Sequence, residues 1–378
     1  MPLNITISGY YGFHNAGDEA ILFSIIQELK GIEPNVVITV LSNDPDHTEK
    51  AYGVKAVNRW HLPSIVKAVS NSQLFISGGG SLLQDVTSKK NVIYYLGVVG
   101  IAQAFGVPTF FYSQGIGPLR TGFSRKLLSL AIKRAAKITV RDQASAQLIA
   151  DLGVDMSKLE VTADPVLGLA RENIDLSFGK QLLTGTGLDL AKPKLGVVLR
   201  DWHRMDEIRP VLAKWAREVQ NQGWQLVLIA FHSPEDITAH SKLVEQIQKD
   251  MKTDEPISGL VQLGGGYSPM EYLSLIGNLD FVVGMRLHAL IMAAVMEVPM
   301  AGISYDPKID AFLKLVKQPI VTRLDDSLEI GDMLLKLITS LKDRDRLKEE
   351  LLQTLAELQV KAKSPARQAL LIANGNYL

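Results

Sequence analysis

Strand-like runs alternate with helical stretches along most of the chain. In the first half, runs at 4–9, 36–41, 74–77, 109–113 and 138–140 are separated by segments with helical periodicity. Strands that are apolar on both faces are typical of a parallel sheet with helices on both sides. The pattern therefore predicts an α/β architecture for this half of the chain.

The alternation weakens and then begins again. Residues 170–193 have no strong period and carry scattered Gly, Asn and Asp, so we predict a domain junction there. A second series of strands follows at 194–199, 225–230, 259–263, 279–283 and 300–304. Two consecutive α/β series predict two Rossmann-like, doubly wound domains that face each other across a central cleft.

The predicted domains cover residues 1–175 and 190–345. From 328 to 371 the chain is largely helical, and its last part is amphipathic and charged on one face. By analogy with two-domain sugar-transferring enzymes, the C-terminal helix at 350–378 is a candidate to pack back onto the first domain.

Composition narrows the classes of function. Lys plus Arg equals Asp plus Glu at 40 each, so no overall field favours nucleic acid or an anionic membrane. The absence of cysteine excludes disulfides and thiolate nucleophiles, and weakly favours the cytoplasm. The most apolar stretch, 97–117, contains Pro108 and glycines and predicts a helix and a strand, not a membrane span. The first residues lack the features of a signal peptide.

A glycine-rich segment at residues 9–20 joins the first strand to the first helix. Backbone N–H groups at a helix start can approach an anion or a sugar closely. Asp18 and Glu19 fall in the first turn, where they suit the helix dipole but would repel a pyrophosphate. The loop is therefore expected to contact a neutral sugar or to shape the cleft, the alternative being a tight turn with a helix cap.

Two further glycine turns follow predicted strands. Gly78, Gly79 and Gly80 come directly after the strand at 74–77, and Gln114 and its neighbouring glycines follow the strand at 109–113. Ligands of open α/β sheets bind at the carboxyl ends of the strands. We therefore expect both turns to line the first domain's half of the cleft.

The segment at 281–299 is the most informative for chemistry. A buried strand ends in Gly284 and a helix begins within three residues, so Arg286 and His288 lie near the helix N-terminus. Arginine offers a planar fork of donors that fits carboxylate or phosphate, and the helix terminus adds to the same positive field. Histidine supplies a side chain that titrates near neutral pH. The alternative for His288 is a satisfied core histidine.

Other basic residues follow neighbouring strands. Arg200 comes after the strand at 194–199, and Lys308 follows the strand at 300–304. Because parallel strands bring their carboxyl ends to one edge, Arg200, Arg286, His288 and Lys308 are expected to converge on one small, highly charged anion. The remaining histidines show no metal-ligand spacing, and we predict no catalytic metal.

Two acidic residues in the first half have structural interpretations. Asp142 is predicted to cap the helix that follows Arg141, and Asp164 to hold the loop before Pro165. For Arg141 a surface or interdomain ion pair is favoured over a place in the cleft.

Taken together, these segments resemble the polysaccharide pyruvyl transferase family over nearly the whole chain. The resemblance is carried by the Asn-Ala-Gly-Asp-Glu-Ala entry at 15–20, the glycine turn at 77–85, residues 114–118, Asp164-Pro165, and above all Arg286-Leu287-His288-Ala289. The pattern is similar to the CsaB type, whose members modify the linkage sugar of secondary cell-wall polymers used in S-layer anchoring.

The resemblance implies a fold similar to the GT-B glycosyltransferases and an enzyme that works in the cytoplasm. It implies phosphoenolpyruvate as co-substrate, no other cofactor, and a diphosphate-lipid-linked disaccharide with N-acetylmannosamine as acceptor. Arg286 and His288 match the donor-site motif, with Arg200 and Lys308 as further phosphoenolpyruvate-binding positions. Acceptor binding is expected at Asn15, Asp18, Gly79, Gly80 and Gln114. His288 is the expected general acid.

Two alternatives remain at this point. One is a GT-B glycosyltransferase that uses a nucleotide sugar, since the helix followed by Glu297-Val298-Pro299 resembles that class too. The other is a non-catalytic glycan-binding protein. Peripheral membrane contact and a homo-oligomer are compatible with the sequence, and a nucleic-acid partner is not expected.

Overall fold

The chain divides into two compact units. The computed structural model describes residues 2–85, 89–325 and 327–376. One unit is formed by residues up to Leu169 together with those from Glu357 onward, and the other by Ala170–Ala356. Each unit has its own parallel sheet.

The first unit is built on eight strands in the described part of the chain. These are β1 (Asn4–Ser8), β2 (Val37–Ser42), β3 (Lys55–Asn58), β4 (Leu74–Ser77), β5 (Gly80–Leu83), β6 (Thr109–Ile116), β7 (Lys137–Val140) and β8 (Leu159–Val161). Their order is β3-β2-β1-β4-β6-β7-β8, with β5 beside β6, and the pairs are parallel. The order reverses between β1 and β4, where sheets of this kind open a crevice for ligands.

Six helices alternate with these strands in the described residues. They are α1 (Ala16–Ile32), α2 (Pro45–Tyr52), α3 (Leu62–Ser70), α4 (Lys89–Ala104), α5 (Gly122–Lys133) and α6 (Gln143–Ala150). Central strand residues such as Ile5, Phe75 and Phe111 are fully buried because helices cover both faces of the sheet. Each side chain of this size stabilises the fold by roughly 1.5–3 kcal/mol relative to its exposed state.

The second unit repeats the architecture with six strands among the residues described. They are β9 (Lys194–Val198), β10 (Gln225–Ile229), β11 (Leu260–Leu263), β12 (Phe281–Gly284), β13 (Met300–Ser304) and β14 (Ile320–Arg323). Their parallel order is β11-β10-β9-β12-β13-β14, so the reversal falls between β9 and β12. The crossover segments put helices on both faces of this sheet as well.

The helices of the second unit follow the same numbering. They are α7 (Ser177–Gly185), α8 (Met205–Asn221), α9 (Glu235–Met251), α10 (Pro269–Ile276), α11 (Leu287–Val295), α12 (Pro307–Leu315), α13 (Met333–Lys342) and the first part of α14 (Arg344–Ala373). Helix α11 is buried from Ala289 to Val295, which explains why this segment is apolar on all sides. A helix packed on a central strand has no solvated face.

The last part of α14 belongs to the first unit. Leu358, Ala362, Ala366 and Leu370 recur at four-residue spacing and are buried. Gln368 donates to Glu160 at 2.7 Å, on strand β8. Residues at this spacing lie on one face of a helix. This apolar face and the hydrogen bond to Glu160 hold the last part of α14 against the first unit's sheet.

Among the described residues, no helix combines the length and the apolar character of a membrane-spanning segment.

Candidate functional site

At the carboxyl edge of the second sheet, the predicted donor-site residues follow neighbouring strands. Gly284 at the end of β12 pairs with Val198 of β9 on one side and with Gly302 of β13 on the other. The backbone N–H of Met285 also donates to the carbonyl of Val198 at 2.8 Å. The segments that follow these three strands therefore leave the sheet side by side, at the point where its strand order reverses.

Arg286 is held by a buried carboxylate. It occupies the N-cap position of α11 and its side chain is 16% exposed. Its Nε donates to Oδ2 of Asp236 at 3.1 Å, and its Nη2 pairs with Oδ1 of the same carboxylate, which is fully buried. Asp236 also accepts the N–H groups of Phe231 and His232, both at 3.0 Å. The sequence patterns did not single out Asp236, since it lies 50 positions from Arg286.

His288 lies in the first turn of α11, two residues after Arg286, and is partly exposed. The side chain as a whole is therefore not enclosed in the core, as the alternative of a satisfied core histidine would have it, although its Nε2 atom is buried. The first N–H groups of a helix lack intrahelical acceptors and carry the positive end of its dipole. The imidazole stands at this positive end, beside the strand ends just described.

Lys308 occupies the corresponding place on the next helix. It is the second residue of α12, and Asp306 caps that helix by accepting the Lys308 N–H at 2.9 Å. Its side chain is partly exposed. Two helix N-termini, each with a basic side chain in or beside the first turn, therefore follow adjacent strands.

Arg200 reaches across the sheet edge from β9 toward the end of β13. Its Nη1 donates to the hydroxyl of Tyr305 at 2.9 Å. Its guanidinium also lies over the rings of Trp202 and Tyr305, at 4.7 and 4.9 Å from their centroids. Since β12 lies between β9 and β13, this hydrogen bond spans the strand that carries Arg286. Cation–π contacts of this kind hold an arginine in place while other donors remain.

A buried histidine fixes the backbone just before Arg200. The Nε2 of His240, on α9, accepts the N–H of Leu199 at 3.1 Å. The side chain is fully buried, and burial lowers the pKa of His240 to about 4, with a smaller opposing effect from Asp236. His240 is therefore neutral at ordinary pH and serves as a hydrogen-bond acceptor.

Three of the predicted acceptor residues, Asn15, Gly79 and Gly80, lie around the start of α1 in the first unit. The side chain of Asn15 caps α1 by accepting from Gly17 at 3.1 Å and Asp18 at 3.4 Å. Gly80 lies close to Asp18, since a β-carbon at Gly80 would be 3.1 Å from the Asp18 carboxylate. Gly79 packs against Ile21 in the same way, at 3.0 Å. Asn15 and Gly79 thus have structural roles at the start of α1.

The prediction that Gln114 contacts an acceptor is wrong, because no part of its side chain is exposed. Its side chain is fully buried and donates to the carbonyl of Gly78 at 3.0 Å and to the hydroxyl of Ser77 at 3.3 Å. Strand β6 continues through Ile116, so Gln114 lies within the sheet. It supports the glycine turn after β4 and does not line an open surface.

Glu19 is turned into the protein although it falls in the first turn of α1. Its Oε1 accepts the N–H of Gly12 at 2.9 Å, and its Oε2 accepts the hydroxyl of Tyr52 at 2.6 Å. Burial and this carboxylate raise the pKa of Tyr52 well above its usual value. Glu19 therefore ties the glycine loop to α2 and fixes its shape.

Exposed aromatic residues stand at the carboxyl ends of β1 and β3, and the sequence patterns did not single them out. Trp60 is 63% exposed, and its indole N–H donates to Asn43 at 3.1 Å. Beneath it, the guanidinium of Arg59 is buried and lies within 5.2 Å of the ring centroids of four aromatic residues. Tyr10 is partly exposed and stacks on Phe13 with ring centroids 4.1 Å apart. This surface offers rigid rings beside hydrogen-bonding groups.

The expectation that Arg141 forms a surface or interdomain ion pair is wrong. Its side chain is buried within the first unit and donates to Asp164 at 2.7 Å and to the hydroxyl of Ser81 at 2.9 Å. Asp164 also accepts the N–H of Val166 at 3.2 Å, as expected of a residue that holds this loop. Asp142 caps α6 through Ser145, as predicted.

No metal site is evident in the described ranges, which contain no group of three or more His, Asp or Glu that could hold an ion.

Solved structures of low identity share the fold. A UDP-N-acetylglucosamine 2-epimerase from Methanocaldococcus jannaschii matches with a TM-score of 0.67 at 12% identity, over 98% of this chain and 99% of its own. The Neisseria meningitidis enzyme of the same name, solved with UDP-N-acetylglucosamine, gives 0.65 at 11% identity over 98% and 100%. Anabaena HepE, solved with UDP and glucose, gives 0.59 at 14% identity over 99% and 98%. These likenesses show a GT-B fold.

Sequence comparison gives the family. A search of curated proteins finds no match. Residues 15–307 match the sequence model of the polysaccharide pyruvyl transferases, which covers both the glycine-rich entry and the Arg286–His288 segment. The chain therefore belongs to the polysaccharide pyruvyl transferase family, enzymes that transfer a pyruvyl group to a glycan.

Proposed function

We propose that this protein uses phosphoenolpyruvate as donor and forms a cyclic pyruvate ketal on a sugar of a cell-envelope glycan, releasing phosphate. The proposed acceptor is N-acetylmannosamine in a lipid-diphosphate-linked cell-wall precursor of the kind used in S-layer anchoring. The enzyme would then work in the cytoplasm, where the donor is made, with peripheral contact to the membrane that carries the acceptor.

The observation that carries the donor assignment is the set of basic groups that follow the ends of adjacent strands of the second sheet. Arg286, His288 and Lys308 belong to the first turns of α11 and α12 or their caps, and Arg200 spans the same edge. Phosphoenolpyruvate carries a carboxylate and a phosphate on neighbouring atoms. Arginine binds such groups through paired donors, and lysine binds them as a point charge. The helix termini add donors and positive potential for the same anion.

The chemistry follows from the donor. His288 donates a proton to the methylene carbon while one sugar hydroxyl bonds to C2. The C2–phosphate bond then breaks as a second hydroxyl of the same sugar bonds to C2, which closes the ketal. One hydroxyl proton restores His288 and the other leaves with the phosphate. Arg286, Arg200 and Lys308 bind the anionic groups while the charge redistributes, and a positioned acid of this kind contributes about 10²–10⁴-fold.

For the acceptor, we propose the carboxyl edge of the first sheet. Asp18 and Gly80 adjoin one another there, and the exposed rings of Tyr10 and Trp60 stand at the ends of β1 and β3. Rigid aromatic faces suit the C–H face of a pyranose, because the negative face of the ring attracts its weakly positive hydrogens. Asn43, which accepts the Trp60 N–H, keeps that ring oriented.

The proposal is tested by incubating the protein in deuterium oxide with phosphoenolpyruvate and a short-chain lipid diphosphate bearing the N-acetylmannosamine disaccharide. We expect one phosphate per ketal formed, and one deuterium in the new methyl group by mass spectrometry. His288→Gln should lose turnover and still bind phosphoenolpyruvate. Transfer of a sugar from a nucleotide sugar would favour the glycosyltransferase alternative. Acceptor binding with no turnover would favour a glycan-binding protein.

A further inference from the structure

Asp236 is a buried carboxylate whose oxygens accept hydrogen bonds from three residues in two segments of the chain. It lies in the first turn of α9 and accepts the N–H groups of Phe231 and His232 together with two nitrogens of Arg286. Its side chain is fully buried, whereas that of Arg286 remains 16% exposed. The carboxylate is thus the anchored partner of the pair, and the guanidinium is the partner that a ligand can reach.

The geometry of the pair determines which donors of Arg286 remain. A guanidinium has five N–H donors in one plane. Asp236 takes Nε and one donor of Nη2, so both donors of Nη1 and the second donor of Nη2 have no partner among the described residues. Those donors form the end-on edge of the fork, which matches a carboxylate or phosphate through two parallel hydrogen bonds.

We infer that Asp236 is a positioning residue for the donor: it fixes the plane of Arg286 so that the Nη1–Nη2 edge is offered to the anionic group of phosphoenolpyruvate. This inference rests on the proposed function. A neutral acceptor could not do the same, because an arginine at this depth is costly to bury without a countercharge when the site holds no ligand.

The helix that carries Asp236 also fixes the neighbouring strand. His240 lies one turn further along α9 and accepts the Leu199 N–H, one residue before Arg200. One face of α9 therefore braces the ends of β9 and β12, the two strands that flank the reversal of the sheet. Groups held by a regular helix keep their geometry better than groups held by loops, so α9 sets the spacing between Arg200 and Arg286.

Asp236→Asn tests the inference with Asp250→Asn as matched control. Asp250 lies at the other end of α9 and accepts from Arg217 and Gln246, both at 2.9 Å. We expect Asp236→Asn to lower kcat for phosphate release by about 10–100-fold, because small misplacements of binding groups have effects of this size. The KM for phosphoenolpyruvate should not rise in proportion, since Arg286 becomes less neutralised. Asp250→Asn should change neither value by more than about twofold.

A double-mutant cycle separates positioning from a general effect on folding. If Asp236 acts through Arg286, Asp236→Asn should reduce kcat no further in an Arg286→Met background. Independent, multiplicative losses would overturn the inference. Replacing both partners also removes the unpaired charge, so the double variant should fold even if Asp236→Asn alone does not.

Arg286→Lys gives a second test that does not depend on the Asp236 variants. Lysine keeps the charge but lacks the planar fork, so the inference predicts a loss of kcat close to that of Arg286→Met. Wild-type kcat in Arg286→Lys would overturn it. A wild-type protein that neither binds nor turns over phosphoenolpyruvate would overturn the proposed function and this inference with it. An active wild type with an unaffected Asp236→Asn variant would overturn this inference alone.

Discussion

The Nε2 of His240 accepts the backbone N–H of Leu199 at 3.1 Å, in a position that solvent does not reach. Because this nitrogen is the acceptor, the proton of the neutral ring is on Nδ1. Nδ1 is buried and has no hydrogen-bond partner among the described residues. The contact therefore requires a neutral imidazole, and protonation would remove it.

Acid should destabilise the second unit through His240. Burial lowers the pKa of His240 to about 4 in the folded protein, against about 6.5 for an exposed histidine. Between these values the unfolded chain binds a proton that the folded protein does not, so stability present above pH 6.5 is lost as the pH falls toward 4. The loss is on the order of 3 kcal/mol. Urea unfolding of the wild type and His240→Gln across this range measures it, and equal pH slopes in both would contradict the assignment.

Breaking the Arg141–Asp164 pair should destabilise the first unit strongly. Both side chains are buried, and the removal of one partner leaves an uncompensated charge. We expect Asp164→Asn to reduce the free energy of unfolding by about 3–5 kcal/mol, measured by urea denaturation. Glu357→Gln breaks the exposed pair with Lys361 and should have little effect. Similar losses of unfolding free energy in both variants would show that burial of the Arg141–Asp164 pair does not add to its contribution to stability.

Gly78 should not tolerate a side chain. A β-carbon there would lie 2.1 Å from the hydroxyl of Tyr11, which is fully buried and cannot move aside cheaply. Gly78→Ala should therefore lower the Tm clearly. Gly97→Ala is the control, because Gly97 is exposed within α4 with no atom near its β-carbon position, and alanine favours a helix by up to about 1 kcal/mol. A Gly78→Ala protein as stable as Gly97→Ala would contradict the packing described.

We expect the hydroxyl of Tyr305 to support donor binding, because it holds the side chain of Arg200 in place. Tyr305→Phe removes the 2.9 Å hydrogen bond from Arg200 and keeps the ring over which the guanidinium lies. A bond of this kind to a charged group contributes about 1.5–3 kcal/mol. We expect the KM for phosphoenolpyruvate to rise by roughly tenfold, with a larger rise for Arg200→Met. An unchanged KM in both variants would remove Arg200 from the donor site.

Much of the fold could be predicted because central strands have a local signature. Apart from Lys194 and Asp280 near their starts, the segments at 194–199 and 279–283 are apolar, and they contain β9 and β12 at the centre of the second sheet. Strand β3 escaped prediction because it is an edge strand with exposed ends at Lys55 and Asn58. Helix α7 was not predicted, because it lies in the segment without a strong hydrophobic period. Its position depends on Gly179, which packs closely against the backbone of α10.

From the sequence, only residues that directly follow a recognisable strand could be assigned to the site. Arg286, His288 and Lys308 follow strands that the pattern identified, so their common edge could be inferred. Asp236 could not, because its role depends on a partner 50 residues away and no local pattern marks it. Gln114 was misplaced because β6 was predicted to end at Ser113, whereas it continues to Ile116 between neighbouring strands.

Calorimetric titration of Lys308→Met with phosphoenolpyruvate tests whether the carboxyl edge of the second sheet binds this donor. Lys314→Met is the matched control, since Lys314 is an exposed lysine in the last turn of the same helix, α12. We expect Lys308→Met to bind phosphoenolpyruvate about tenfold more weakly or worse, and Lys314→Met to bind it like the wild type. Equal affinity for phosphoenolpyruvate in all three proteins would contradict donor binding at this edge.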